Sequence, residues 1–248
     1  MNKELKNRFE CLWHTYFKNI DLPITASLTN NTGNVKPVAK STKWSCLVCE
    51  LAKVTKGHSI AYNEEALGCG GAKRYLGYAD NIRPNFEYFL SYGIEGVVEG
   101  ERYKKSPEIV KETQKILQTL PAKGKFYVFK RWDKLEENDM PDVVMFFAKG
   151  PVLSGLFTLA NFDTVDPNGG VIAPFGAGCG SIIHYPYLEK EKENPRAVLG
   201  MFDPSAQPCV PKDSLSFAVP FNKFEKMVSY MEESFLITET WSKVMKRF

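Results

Sequence analysis

Six consecutive apolar residues, Val-Val-Met-Phe-Phe-Ala, occupy positions 143–148. A strand with one wet face alternates apolar and polar residues. An unbroken run asks for cover on both faces. That requirement selects a sheet with helices on either side, and the rest of the chain supplies them. Leu5, Phe9, Leu12, Trp13, Tyr16, Phe17 and Ile20 recur at helical spacing and predict an amphipathic first helix. A second helix is predicted over 45–56 on the stripe Leu47, Leu51 and Val54. Ser106 and Pro107 open a third, with Ile109, Thr113, Ile116, Leu117 and Leu120 inward. Pro151 starts a fourth with Leu153, Leu156, Phe157 and Ala160 on one face. Phe224, Met227, Val228, Met231 and Phe235 mark a late helix, and Trp241, Val244, Met245 and Phe248 a last one. Further strands are predicted over 23–29, 59–62, 126–129, 171–175 and 215–219. The expectation is a mixed α/β fold (α+β) forming one unit over 1–248, and 44% hydrophobic residues in 248 supply a large core.

Composition narrows the function. A net charge of +3 with no long basic stripe argues against nucleic-acid binding. The nearest candidate is Lys36, Lys40, Lys43, Lys53 and Lys56 against the single acid Glu50, read either as a solvated surface or as a funnel for an anionic ligand. No apolar run approaches the ~18 residues of a membrane span, and the first residues mix charged and apolar types rather than forming a secretory signal. The expected compartment is the cytoplasm, where the six cysteines would be kept reduced. There, cysteines pack, bind metal or do thiol chemistry.

Their placement is uneven. Cys11 falls opposite the apolar stripe of the first helix and reads as a surface thiol without a role. Cys46 and Cys49 lie one turn apart, off the stripe of the second helix, so both can reach one ligand; the spacing suits a metal or a dithiol. Cys69 and Cys179 sit in Gly68-Cys69-Gly70-Gly71 and Gly178-Cys179-Gly180, each before a helical turn. Glycine permits close backbone approach and positive φ, and a thiol at a helix N-terminus feels the positive end of the dipole, which favours thiolate. His184, five residues after Cys179, is a candidate base or ligand. The two Gly-Cys-Gly triplets stand in similar strand–helix–strand contexts. This suggests an internal repeat, 20–135 and 140–230, in which Cys69 and Cys179 are equivalent.

Trp44, Cys46 and the run Gly68-Cys69-Gly70-Gly71-Ala72-Lys73-Arg74-Tyr75-Leu76-Gly77 resemble the family catalogued as domain of unknown function 169. So do the segments 141–187, with its Ile-Ala-Pro-Phe-Gly-Ala-Gly-Cys, and 196–227. The family carries no assigned activity, so the resemblance implies no reaction. Its pattern includes the cysteines matching Cys46, Cys69 and Cys179, and more often has other residues at Cys49 and Cys209.

The leading expectation is an iron–sulfur cluster or other thiolate-bound metal held by Cys46, Cys69 and Cys179, with Cys49, His184 or an external ligand completing it and a small-molecule or redox partner. Sulfurs on one ion would stand about 4 Å apart, and on a cluster on the order of 6–7 Å. Two other readings stay open: a thiol-dependent enzyme using Cys69 or Cys179, and a non-catalytic module binding a small anion at Gly68, Gly70, Gly71, Gly178 and Gly180. The sequence does not define oligomeric state.

Overall fold

The computed structural model describes every residue except Asn19, Ser41, Asn81, Ile82, Thr119, residues 121–123 and Phe248. The expected last-helix contact of Phe248 therefore lies outside the described residues. The elements run α1 (Lys3–Phe17), β1 (Ile24–Thr29), α2 (Leu47–Thr55), β2 (Ile60–Tyr62), α3 (Gly70–Tyr75), α4 (Phe86–Phe89), α5 (Pro107–Ile116), β3 (Phe126–Arg131), β4 (Val143–Ala148), α6 (Gly150–Ala160) and β5 (Val171–Ile172). A π-helical turn (Gly180–His184) then leads into α7 (Tyr185–Lys190), followed by β6 (Ala197–Gly200), β7 (Leu215–Pro220), α8 (Phe221–Tyr230) and α9 (Glu239–Met245). The mixed α/β expectation is met.

Among the described residues, seven strands form one sheet in the order β2-β3-β1-β4-β7-β6-β5. The apolar run is β4, near its centre, and the sheet is covered on both faces. Val144, Phe146 and Ala148 point to one side, among Phe9, Trp13 and Phe17 of α1, Leu156 of α6, Phe224 of α8 and Trp241 of α9. Val143 and Met145 point to the other, among Leu47, Val48 and Leu51 of α2, Ala72 of α3 and Ile182 and Ile183 of the π turn. The first side is an aromatic cluster, with Trp13 stacked on Phe17 at 4.1 Å and Phe9 edge-on to Trp132 and Phe224 at 4.9 Å each. The cysteines other than Cys11 belong to the second side.

Outward from the antiparallel β1–β4 pair, the sheet reads β3, β2 on one side and β7, β6, β5 on the other. A parallel bridge between Pro37 and Ala61 extends the first side by one step, as the parallel pairing of β5 with β6 extends the second. The remaining pairs are antiparallel on both sides. Each side therefore places its first, fourth, third and second segments in that spatial order. Cys69 follows β2 and Cys179 follows β5, the strands at the two ends of the seven-stranded order. Cys46 and α2 lie between the Pro37 bridge and β2, and Cys179 and the π turn lie between β5 and β6.

Other expectations shift for physical reasons. In α5 the buried position is Val110, while Ile109 and Ile116 are exposed, because this helix leans on α4 rather than on the sheet. In α6, Val152 and Gly155 join the buried face and Phe157 is turned outward. The strand expected over 171–175 pairs only at Val171 and Ile172. The helix expected over 45–56 begins at Leu47 with Cys46 as its N-cap.

Beyond the π turn, α7 is held by ion pairs. Asp142 accepts from the Leu28 N–H at 2.7 Å and from Lys190 Nζ at 2.6 Å, so one carboxylate joins β1 to α7. Glu189 is buried and accepts two bonds from the Arg196 guanidinium at 2.8 and 3.1 Å and one from Lys192 at 2.6 Å. Burial pushes its carboxyl up, but the hydrogen bonds and charges of Arg196 and Lys192 outweigh this and hold it below its ordinary 4.5. Glu189→Gln is expected to cost about 2 kcal/mol in urea unfolding at neutral pH, because the Arg196 charge keeps its burial and loses its partner. The folded state here prefers the ionised carboxyl. Its contribution is present above 4.5 and lost as pH falls through the depressed folded value, so the gap between wild type and variant should close below pH 4.5.

Candidate thiol-rich site

Three helix starts on the second face of the sheet each carry a cysteine. Cys46 N-caps α2 and Cys69 N-caps α3. Cys179 stands in the first turn of the helix that becomes the π turn, whose Gly180 and Ser181 N–H groups both donate to the Ala177 carbonyl. The glycines bring these starts together. A Cβ on Gly68 would come within 2.5 Å of the Lys43 carbonyl oxygen and 2.8 Å of the Ser45 nitrogen, so only glycine lets the Cys69 loop lie against the approach to Cys46. A Cβ on Gly178 would meet Met201, Ala206 and Val48 of α2 at 3.0–3.1 Å. Gly180 lies between the rings of Tyr75 and Tyr185.

These glycines serve close approach and not left-handed backbone: the described positive-φ glycines are Gly33, Gly57, Gly77, Gly93 and Gly96. Protein atoms fill the space in front of Gly68, Gly178 and Gly180. The nearest atom to a Gly71 Cβ would be Cys69 Sγ at 3.6 Å, and Gly70 is exposed.

Cys179 is 7% exposed and lies in the apolar cluster with Leu47, Val48, Tyr75 and Met201, while Cys46, Cys69 and Cys209 pack at the edge of the same cluster. Burial drives the Cys179 thiol well above its ordinary value, and Cys69, Cys46 and Asp203 push it further in the same direction. The expectation of a helix-start thiolate at Cys179 is thereby corrected: desolvation exceeds the dipole, and without a neighbouring cation this sulfur keeps its proton. The same observation places Cys46 and Cys69 within electrostatic reach of Cys179.

Asp203, a residue the sequence did not point to, caps the helix start. Its Oδ2 accepts from the Gly178 N–H at 3.3 Å, and its Oδ1 from the N–H and hydroxyl of Ser205. Ser181 ties the π turn to β6, its hydroxyl donating to the Gly178 carbonyl at 2.9 Å and accepting from the Met201 N–H at 3.2 Å. Tyr75 packs against this turn. Its phenol is pushed up to about 12 by burial, with Tyr185 and Cys179 adding to the shift.

Cys46, Cys49 and Cys209 hold sulfurs all within 4.8 Å of one another, close enough for one metal ion. Cys49 and Cys209, however, are joined in a disulfide across 160 residues of chain. This corrects two expectations, that all six cysteines stay reduced and that Cys49 is free to complete the trio. Among the described residues Cys46, Cys69 and Cys179 do not form a group of that spacing, so at least one of their separations exceeds single-ion geometry. Cys11 is a free, exposed thiol on α1.

His184 is buried in the π turn, and its Nε2 has no hydrogen-bond partner among the described residues. A carbonyl can only accept, so its Nδ1–H donates to the Tyr75 carbonyl at 3.2 Å, and the ring stands edge-on to Tyr75 and Tyr185. It ties the π turn to the end of α3. Burial lowers its pKa below 6.5, and the Arg74 charge adds to this. The folded state prefers the neutral ring, so stability is full above 6.5 and falls as pH drops from there towards the depressed folded value. Urea midpoints measured from pH 8 downward should fall across this window in wild type and fall less in His184→Gln.

The family model DUF169, described as Uncharacterised ArCR, matches residues 22–230. The chain belongs to this family. No curated protein and no solved structure matches it. The DUF169 match runs from just before β1 to the end of α8, and so contains the whole sheet and all the cysteines except Cys11. Among the described residues, no helix is long and apolar enough to cross a membrane.

Proposed function

We propose that Cys46, Cys69 and Cys179 hold a thiolate-bound metal centre, an iron–sulfur cluster in the first instance, in a cytoplasmic protein with a redox or small-molecule role. The supporting observation is the convergence of three helix starts, each bearing a cysteine, around the buried Cys179. The donor set is soft and favours iron–sulfur clusters, zinc or copper(I) over hard cations. A buried thiol held protonated by burial and by its neighbours' charge is what a metal cation would reverse, since binding requires thiolate and releases the proton. Three thiols of which at least one pair stands wider than single-ion spacing are compatible with a cluster that has one corner open to substrate or an external ligand. This chain's residues would orient the sulfurs through Gly68 and Gly178 and exclude water with Leu47, Val48, Tyr75 and Met201.

The two other readings are less well supported. Burial removes Cys179 as a nucleophile and leaves the half-buried Cys69. The filled space before Gly68, Gly178 and Gly180 leaves little room for an anion. The test is anaerobic purification followed by reconstitution with iron and sulfide. The expected result is a brown protein carrying both in stoichiometric amounts. A colourless protein that takes up neither iron and sulfide nor zinc ends the metal reading. Fast stoichiometric labelling of Cys69 in that protein would support the thiol enzyme.

A further inference from the structure

We infer that Cys46, Cys49 and Cys209 form a thiol–disulfide exchange relay, a redox-active site that does not depend on bound metal. Three sulfurs lie mutually within 4.8 Å, yet only two are bonded. The third, Cys46, is thus a free thiol standing beside a disulfide. It is an N-cap residue whose side chain makes no capping hydrogen bond, so no backbone bond has to break for its sulfur to move. The disulfide is not sealed in the core. Cys49 is an exposed residue and Cys209, in the short turn Gln207–Cys209, is half-buried, so the bridge lies at the protein surface. Exchange rates depend on access as well as on the attacking thiol. In the cytoplasmic setting of the proposed function, such a disulfide would be a transient, catalytic or sensing one.

The step balances without an outside oxidant. Cys46, having given up its proton, attacks Cys49 Sγ. The Cys46–Cys49 bond forms, the Cys49–Cys209 bond breaks, and Cys209 leaves as a thiolate that takes up the proton. No electrons enter or leave. Cys46 and Cys49 are one turn apart at the start of α2, and i,i+3 residues on a helix hold their Cβ atoms about 5–6 Å apart, near enough for a bridge with a small adjustment. The exchanged form withdraws Cys46 from Cys69 and Cys179 and frees Cys209. The further consequence, that exchange governs occupancy of the metal centre, rests on the metal reading; the relay itself does not.

The test uses the full chain, metal-free, incubated at about pH 8 without reductant or oxidant. It is then quenched with acid, alkylated in denaturant and digested with trypsin. Cys46 and Cys49 fall in one peptide, 44–53, between Lys43 and Lys53, and Cys209 falls in another. The resting form appears as two linked peptides with Cys46 alkylated. The exchanged form appears as an internally bridged 44–53 peptide with Cys209 alkylated. Wild type should show both forms, and Cys209 labelling should drop about tenfold in Cys46→Ser. The same pair of results is expected in a background lacking Cys11, Cys69 and Cys179, where no metal centre can form, so loss of the metal reading leaves the relay standing. Cys209 that is never alkylated in wild type, or is alkylated equally in Cys46→Ser, overturns the relay. So does a chain that forms no Cys49–Cys209 link even after mild oxidation.

Discussion

Replacing Cys179 with serine is expected to abolish metal uptake and to destabilise the fold as well. Cys179 is 7% exposed among Leu47, Val48, Tyr75 and Met201, and a hydroxyl there has no apolar character to offer. Burying an unpaired hydroxyl costs about 1–3 kcal/mol. Alanine in its place leaves a small void and costs about 1 kcal/mol. If Cys179 is a ligand, both variants should retain less than about a tenth of the wild-type iron after anaerobic reconstitution, because neither side chain supplies a thiolate. If it is only a core residue, alanine should bind iron as wild type does. Metal analysis alongside urea unfolding therefore separates ligation from packing, and full iron content in Cys179→Ala would remove this residue from the centre. Cys69→Ser makes a useful companion because Cys69 is half-buried, so its loss of metal should come with little loss of stability.

The second large effect is expected outside the cysteine-bearing loops. A Cβ added to Gly200 would fall 2.1 Å from the Ser181 Cβ and 2.5 Å from its hydroxyl. Neither group can yield alone, since Gly200 is paired to Ser216 in β7 and Ser181 is held by Gly178 and Met201. Gly200→Ala should therefore push the π turn off the sheet, at a cost of about 3 kcal/mol or more. For a chain of this size that corresponds to a fall of roughly 6–12 °C in Tm. Cys179 rides on the displaced turn, so metal affinity should fall with stability. Ser181→Gly removes the colliding atom, and the double variant should recover a large part of the loss. A purely additive double variant, measured by calorimetry, would mean that the strain lies elsewhere.

Much of the sheet was legible because its strands carry strong local signals. The unbroken run of β4 required two covering layers, and α1 and α8 show apolar stripes that survive in the fold as Phe9, Trp13, Phe224 and Met227. What escaped reading was short or set by distant partners. β6 is four residues long and defined by pairing with β7 and β5, so its sequence has no room for a period. Ile109 is as apolar as Val110, and only the position of α4 decides which of them is buried.

The same division runs through the site. Cys69 and Cys179 stood out in the sequence by their glycine-flanked loops, and Cys46 by its place off the apolar stripe of α2. The bond between Cys49 and Cys209 could not be read there, because a sequence separation of 160 leaves no local trace of it.

The π turn at Gly180–His184 also bears on how the chain can change in length. A π turn carries one residue more than the α-helical turn it replaces and completes much the same rotation with it. A one-residue deletion between Gly180 and His184 would thus restore ordinary helix, leave α7 intact and keep Cys179 close to its present angle relative to Tyr187 and Glu189. The same deletion inside the regular helix α6 would instead rotate the residues before it by about 100°.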